Sequence, residues 1–320
     1  MTLHLALYAV PLALLMSVRA YHKGSLSRSG ALCALLTGSV ALTASLRLGV
    51  VLLVFFISSS KATRVGAKRK AELEGREYAG PGGRRTAVQV LANSASASAI
   101  ALCYLLLRLG ALDALLQRWG TPDAESSRWG PWQTEARLSF AGAARLPSLL
   151  QLAYVCHYAC CNADSWASEL GVLAGKPPRL ITSWRIVRPG TNGAVSPQGL
   201  AASLAGGLLV GVAFWLAGLL LLLPVPQAAA AGSPGRVRDA EWLVLVLAPL
   251  AGLFGSGLDS LLGAELQFSG YCSERQCVVE RPGPSVFKIC GRPFLNNHAV
   301  NFLSALLTSA GAVAVVAACT

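Results

Sequence analysis

Long apolar stretches recur along the whole chain and leave little room for any other kind of structure. Most of them reach the roughly 20 residues that a helix needs to cross the hydrocarbon of a bilayer. Only 13% of the residues are charged, against about a quarter in soluble domains. We therefore predict an all-α, multi-pass membrane protein with about eight transmembrane helices, seven being the alternative. The stretches are Leu3–Val18, Gly30–Leu46, Leu48–Ser59, Ala87–Leu109, Ser139–Cys161, Leu200–Leu223, Trp242–Gly263 and Ala299–Cys319.

Two of these stretches call for a specific interpretation. Leu48–Ser59 is short, and only Arg47 separates it from the preceding stretch, so we expect a tight helical hairpin that turns at Arg47. The first stretch lacks the basic start and the small-residue cleavage site of a signal peptide, which predicts a retained helix. We expect residues 1–320 to form a single integral membrane domain, located in an endomembrane or a plastid envelope.

Basic residues are distributed unevenly between the apolar stretches. The segments 19–29, 61–86, 163–198 and 264–298 contain 19 of the 27 Lys and Arg residues. Because basic loops are retained on the cytosolic side, we predict that these segments are cytosolic and that both termini lie on the other side. The net charge of +12 is then mainly a topology signal. No nucleic-acid partner is expected, since no basic fold motif with interleaved aromatic residues is present.

The first polar cluster follows the fifth apolar stretch, at Asn162–Gly171. It contains Asp164 and Glu169 at the predicted end of a transmembrane helix. A carboxylate at such a depth is costly and by default marks a functional site. Helical spacing places Asp164 on one face with Ser168 and Gly171. The cluster predicts a site for a cation or a polyphosphate, the alternative being an ordinary solvated helix end.

The second polar cluster is Gly252–Gly263, in which Asp259 lies among glycines and serines. Small residues at this spacing are typical of a seam where helices pack closely. Packing alone does not require an acid, however, whereas a metal ion bound between helices would use one. We therefore favour a site at Asp259.

Basic and amide side chains supply candidate phosphate ligands. Backbone amides before a helix start are well placed to hold phosphate, and this favours an anion site around Ser196, whose alternative role is to cap the next helix. Asn297 and Asn301 share a helix face and could instead bond to neighbouring helices. The candidates are Lys61, Lys176, Arg179, Thr191, Asn192, Gly193, Ser196, Asn297 and Asn301.

Three cysteines, Cys272, Cys277 and Cys290, lie in one predicted cytosolic loop. A zinc site needs a fourth ligand at a typical spacing, and none follows. Zinc is therefore not expected.

Several motifs resemble the transmembrane protein 19 family. They occur in order along nearly the whole chain, although Ala163 and Ala194 stand where the family usually has glycine. The motifs begin at Ser25 (SLSRSGA), Phe56 (FISSSKAT), Asn162 (NADSWASELG), Pro178 (PRLIT), Pro189 (PGTNGAVS) and Asn296 (NNHAVN).

The resemblance implies an activity that the residues alone do not reveal. Relatives of that family include phytyl-phosphate kinase, and Asp164-x-x-Ala-Ser-x-x-Gly171 resembles dolichol kinases and phosphatidate cytidylyltransferases, which use CTP and a divalent metal. It implies a kinase that transfers a phosphoryl group from CTP to an isoprenoid phosphate. Asp164 and Asp259 would hold Mg²⁺ with help from Glu169, and the basic residues and amides would bind the nucleotide and substrate phosphates. A lipid transporter or flippase and a non-catalytic relative are the alternatives.

Overall fold

The fold is described from a computed structural model for residues 2–68, 83–111, 138, 145–222 and 241–319. Most of the predicted loops 110–138 and 224–241, the middle of loop 61–86 and the start of the stretch at Ser139 lie outside these residues. Within the described ranges, eight long helices confirm the predicted all-α class. They are α1 (Thr2–His22), α2 (Arg28–Ala44), α3 (Leu46–Arg64), α4 (Ala87–Arg108), α5 (Arg145–Gly171), α6 (Pro197–Leu222), α7 (Val244–Leu266) and α8 (Asn297–Cys319).

Five of the helices are long and apolar enough to cross a membrane: α3, α4, α6, α7 and α8. The helix α5 differs because protein surrounds it. It packs against α3, α4, α6, α7 and α8, and the side chains of Leu152 to Ala163 are buried almost completely. A central helix can therefore carry buried polar residues such as Gln151, His157 and Asn162 without exposing them to lipid.

The predicted hairpin between α2 and α3 is present, but it turns at Ser45 and not at Arg47. The backbone N–H of Ser45 bonds to Ala41 at the end of α2. Its hydroxyl accepts a hydrogen bond from the Arg47 N–H (3.1 Å) and so caps the start of α3. Because one serine serves both helices, α3 starts earlier than the apolar pattern indicated. It also extends beyond Ser59 to Arg64.

Glycines let α6 and α7 approach each other and α5 closely. A methyl group added at Gly207 would lie 2.6 Å from the carbonyl oxygen of Ala248 on α7. One added at Gly252 would lie 3.0 Å from both the Gly207 Cα and the Ala163 Cβ. Close backbone approach through small residues is a usual way for membrane helices to associate. This packing brings the carboxylate-bearing helices α5 and α7 together.

The four basic segments meet at one end of the bundle, which we call the basic face. Arg64 Nη2 donates to Ser25 Oγ (2.9 Å), and the backbone N–H of Asn192 donates to Ser269 Oγ (3.0 Å). This grouping agrees with the charge pattern, while the assignment of the face to the cytosol stays a prediction.

Two small antiparallel sheets on the basic face were not predicted from the sequence. In the first, β1 (Arg179–Leu180) pairs with β2 (Ala194–Val195). The second sheet consists of β3 (Ser269–Cys272), β4 (Cys277–Val279) and β5 (Val286–Cys290). The strand β3 lies between β4 and β5. These sheets give the loops between the helices a defined shape next to the ends of α5 and α7.

Candidate functional site: paired carboxylates at the basic face

Asp164 and Asp259 lie at the same depth in neighbouring helices. The helix α5 continues beyond the predicted boundary at Cys161 to Gly171, and α7 continues beyond Gly263 to Leu266. At 1.5 Å per residue, each carboxylate therefore lies about 10 Å from the end of its helix at the basic face. Both residues are partly buried, and they are close enough for their charges to interact. The structure thus brings together two acids that are far apart in the sequence.

Serine hydroxyls connect the two carboxylates to α7 and α8. Ser256 Oγ on α7 donates to Asp164 Oδ1 on α5 (3.5 Å), and Ser304 Oγ on α8 donates to Asp259 Oδ2 (3.0 Å). These contacts tie α5, α7 and α8 together around the acids. The role of Ser304 was missed in the sequence, although its position three residues after Asn301 places it near the same cluster.

The small residues around Asp259 do form a packing seam. A methyl group at Gly255 would lie 2.4 Å from the Cys160 Sγ and 2.8 Å from the Thr308 Oγ1. A packing seam and a binding site at Asp259 are therefore compatible. Gly255 lets α7 pack closely against α5 and α8, and Asp259 lies one turn further along α7, beside the same two helices.

The chemistry of the paired carboxylates fits a magnesium ion. Two nearby negative charges away from bulk water repel each other strongly, and neither acid forms a salt bridge within the described part of the chain. A divalent cation would offset this repulsion. Mg²⁺ is usually bound through one or two carboxylates and completes its shell with waters and substrate phosphates.

The described residues contain no closed metal cage built from protein side chains. No group of three or more His, Cys, Asp or Glu residues that could hold a metal occurs in the ranges that the structure describes. Cys272 and Cys277 face each other across β3 and β4, and both are free thiols, as is Cys290. The expectation that the three cysteines do not bind zinc stays a prediction.

Asn162 orients the carboxylate-bearing segment of α5. Its side chain is completely buried. The amide nitrogen donates to the carbonyl oxygen of Gly206 on α6 (2.8 Å), and the amide oxygen accepts from Ser58 Oγ on α3 (2.7 Å). Because Asn162 precedes Asp164 by only two residues, these bonds fix the rotation of α5 at the site. Asn162 had no predicted role of its own, although a polar residue at this depth signalled one.

Glu169 interacts electrostatically with a basic side chain, Arg85. Its negative charge attracts the guanidinium of Arg85, which precedes α4. Arg85 Nη2 donates to Ser59 Oγ on α3 (3.2 Å). Burial lowers the pKa of Arg85, and the charge of Glu169 opposes this change. The predicted assistance of Glu169 to a metal ion stays a prediction, whereas its electrostatic contact with Arg85 is present.

The predicted phosphate loop lies directly over the ends of α5 and α7, but its donors bond to the protein. The Thr191 hydroxyl donates to the Arg188 carbonyl (2.8 Å), and the Asn192 amide donates to the Phe268 carbonyl (3.4 Å). Ser196 Oγ accepts from the backbone N–H of Gly199 (3.1 Å) and so caps α6.

One glycine of this loop explains how the loop comes so close to Asp259. Gly193 has a φ of +75°, and a methyl group there would lie 2.6 Å from the carbonyl oxygen of Ser260. Only glycine adopts this conformation at so close an approach without strain. Gly193 therefore positions the loop, and phosphate binding by Thr191, Asn192, Gly193 and Ser196 stays a prediction.

The basic candidates differ in their contacts. Lys61 and Lys176 are exposed at the basic face, so their charged ammonium groups are accessible there. The Arg179 side chain donates to the Trp184 carbonyl (2.7 Å) and closes the turn after β1. A guanidinium has five N–H donors, so Arg179 can hold this turn and still contact a phosphate.

Asparagines at the start of α8 have separate roles. Asn296 accepts a hydrogen bond from the Ala299 N–H (2.9 Å) and caps the helix. Asn297 is exposed, whereas Asn301 is partly buried and lies less than one turn before Ser304, the residue bonded to Asp259. Of the two predicted amide ligands, Asn301 is the one placed toward the carboxylates.

Comparison with known proteins identifies the family. The model of the integral membrane protein family DUF92 matches residues 11–309. The chain belongs to this family. It is 41% identical to Protein PGR of Arabidopsis thaliana over 305 residues, which cover 95% of the chain and 93% of that protein. The resemblance to the transmembrane protein 19 family is thereby confirmed, as is a multi-pass integral membrane protein.

More distant relatives match parts of the chain. An uncharacterized membrane protein of a Synechocystis species is 29% identical over 219 residues, covering 68% of the chain and 62% of the relative. One from Methanocaldococcus jannaschii is 30% identical over 119 residues, covering 37% and 41%. No solved structure matches the chain.

Proposed function

We propose that this membrane protein is a lipid-phosphate kinase that transfers a phosphoryl group from a nucleotide, preferably CTP, to an isoprenoid phosphate. The observation that carries the proposal is the pair Asp164 and Asp259, which approach each other from separate helices next to a basic, glycine-containing loop. Phosphoryl transfer depends mainly on positioning and on charge neutralisation. The site offers both without a strong general base.

In this reaction the terminal phosphate oxygen of the lipid attacks the γ-phosphorus of CTP. The bond between that phosphorus and the bridging oxygen breaks, and the products are CDP and the lipid diphosphate. A bound Mg²⁺ ion would neutralise the phosphate oxygens during transfer. Asp164 and Asp259 would hold the ion, Ser256 and Ser304 keep the two carboxylates in place, and Asn301 would contact a phosphate. The exposed Lys176, together with Arg179, would attract the nucleotide.

The position of the acids favours a kinase over a transporter. Substrate sites of secondary transporters usually lie near the middle of the bilayer. Asp164 lies about 10 Å from the end of α5 at the basic face and about 28 Å from the other end, at 1.5 Å per residue. The acids therefore lie nearer to the basic face, from which a water-soluble nucleotide would approach, than to the other ends of their helices.

The proposal is tested by measuring turnover of purified protein with CTP, Mg²⁺ and phytyl, farnesyl or geranylgeranyl phosphate. Asp164→Asn and Asp259→Asn should each lower turnover about 100-fold or more, as expected when transition-state charge loses its stabilisation. Glu265→Gln is the matched control. Glu265 is another carboxylate of α7, but it is exposed, so its replacement should leave turnover unchanged.

Two results would contradict the proposal in part or as a whole. One is full turnover by either Asp→Asn variant, which would contradict the role of that acid in the reaction and leave the kinase activity standing. The other is a wild-type protein that binds no nucleotide in the presence of Mg²⁺ yet moves prenyl phosphate between leaflets, which would make it a transporter.

A further inference from the structure

An apolar cavity of about 70 Å³ lies among α1, α2, α3 and α4, apart from the paired carboxylates. Ala13 of α1, Gly38 of α2 and Phe55 of α3 contribute to its walls. On α2 the lining extends from Ala34 to Leu42, which is about 12 Å along the helix axis. The cavity is therefore elongated in the direction of the helices, as a space for an apolar chain would be.

A smaller polar cavity of about 20 Å³ lies at the basic end of these helices. It is lined by backbone and side chains that include Ser25, Ser60, Thr63 and Arg64. The apolar cavity and the polar cavity thus share one lining residue, Arg85.

The polar cavity has the donors that a phosphate group requires. Ser60 Oγ is buried and has no hydrogen-bond partner among the described residues, and leaving a buried hydroxyl unpaired is costly. Among the described residues, the Arg85 guanidinium donates a hydrogen bond to Ser59, and a guanidinium has five N–H donors. Arg64 adds a second guanidinium, held by Ser25 Oγ and the Lys23 carbonyl. Guanidinium groups match the geometry of phosphate oxygens.

The apolar cavity does not suit a nucleotide. The amide side chains in its wall are on α4, where Gln89 Oε1 accepts from the Thr86 N–H (2.9 Å) and the Asn93 amide donates to the Gln89 carbonyl (2.9 Å). These groups are bonded within α4 and its cap. Most of the remaining wall is aliphatic or aromatic, and a space of this kind takes apolar groups in preference to water.

We propose that the two neighbouring cavities, which share Arg85 as a lining residue, bind the acceptor lipid, with one apolar chain between α1 and α4 and its phosphate against Arg85 and Ser60. The identity of that lipid as an isoprenoid phosphate rests on the proposed function. The location is compatible with transfer, because Ser60 lines the polar cavity on α3, and the same helix contacts α5 next to Asp164 through the Ser58–Asn162 hydrogen bond. Nucleotide and lipid then approach the carboxylates from different sides.

Equilibrium binding to the purified full-length protein, without nucleotide, tests this site. The probes are farnesyl phosphate, farnesol and inorganic phosphate. Gly38→Leu should lower the binding affinity for farnesyl phosphate and for farnesol about tenfold or more, because the leucine side chain fills the cavity. Its Cβ would lie 3.4 Å from the Ala13 Cβ, an ordinary contact distance. Arg85→Gln should lower the binding affinity for farnesyl phosphate about tenfold or more, because it removes a charge-assisted contact. The affinity for farnesol, which has no phosphate, should stay unchanged.

Gly311→Leu is the matched control, since a Cβ at Gly311 of α8 would meet nothing within 4 Å; its binding should equal that of wild type. If Gly38→Leu does not fold, the site is tested by comparing the affinities of Arg85→Gln for farnesyl phosphate and for farnesol. Equal binding of inorganic phosphate and farnesyl phosphate by wild type, or unchanged binding in both variants, would overturn the site.

The two proposals fail separately. If the wild-type protein shows no kinase turnover but the two variants lose lipid binding, the lipid site is supported and the kinase proposal is contradicted. Normal CTP-dependent turnover together with unchanged lipid binding in Gly38→Leu and Arg85→Gln would support the kinase and contradict this site.

Discussion

The buried ion pair between Arg47 and Glu241 allows a quantitative prediction at the end of the bundle opposite the basic face. Arg47 is fully buried, and its two terminal nitrogens lie 2.7 and 3.1 Å from the Glu241 carboxylate oxygens. The guanidinium also lies 3.7 Å from the ring centre of Phe214. Glu241 accepts a further hydrogen bond from the backbone N–H of Leu138 (2.9 Å). One residue pair thus connects α3, α6 and the start of α7.

We expect Glu241→Gln to lower the free energy of unfolding by about 3–5 kcal/mol, because it leaves the Arg47 charge buried without its counter-ion. Arg47→Met should cost less. Methionine retains an apolar stem against Phe214, and the Glu241 side chain is 14% exposed, so water can solvate its carboxylate. In the double variant no buried charge remains, and we expect it to be more stable than Glu241→Gln alone.

The measurement is denaturant unfolding of the four proteins in mixed micelles, followed by tryptophan fluorescence. The double-mutant cycle gives the coupling energy between the two side chains. Conservative exposed changes such as Glu265→Gln should leave stability unchanged. Strict additivity of the two single changes would refute the reasoning, since it would mean that the two side chains do not interact.

Three further predictions concern the packing seam, the topology and a thiol. Gly255→Leu should destabilise the protein by about 1–3 kcal/mol in the same unfolding assay, because its side chain overlaps Cys160; Gly257→Leu, with open space at its Cβ, should not, and equal effects would contradict the seam. A single cysteine at Ser183 in a cysteine-free background should react in sealed membranes only when the cytosolic side is opened, and labelling from the other side would reverse the topology. Burial raises the pKa of Cys290, so less thiolate forms at a given pH; its alkylation, followed by mass spectrometry, should begin at higher pH than that of glutathione, and coincident pH profiles would contradict this.

Local sequence determined the helices and the class of the protein. A helix that spans hydrocarbon must satisfy its backbone internally and present about 20 apolar residues, so each span is visible in its own segment. The basic segments could likewise be grouped on one face from charge alone. The boundary of α5 was placed wrongly because protein covers this helix: the polar Asn162, directly beyond Cys161, is buried against other helices, and the helix continues to Gly171.

Only the tertiary structure decided which side chains meet. Asp164 and Asp259 were each predicted as site residues, and the packing of α5 against α7 through glycines brings them into electrostatic contact. The same long-range contacts engage the donors of Asn192 with the strand β3 segment, which no local spacing could reveal. Arg85 appeared in the sequence only as one more basic loop residue. It became a candidate ligand because four helices enclose an apolar space beside it, and such a space exists only once those helices have packed.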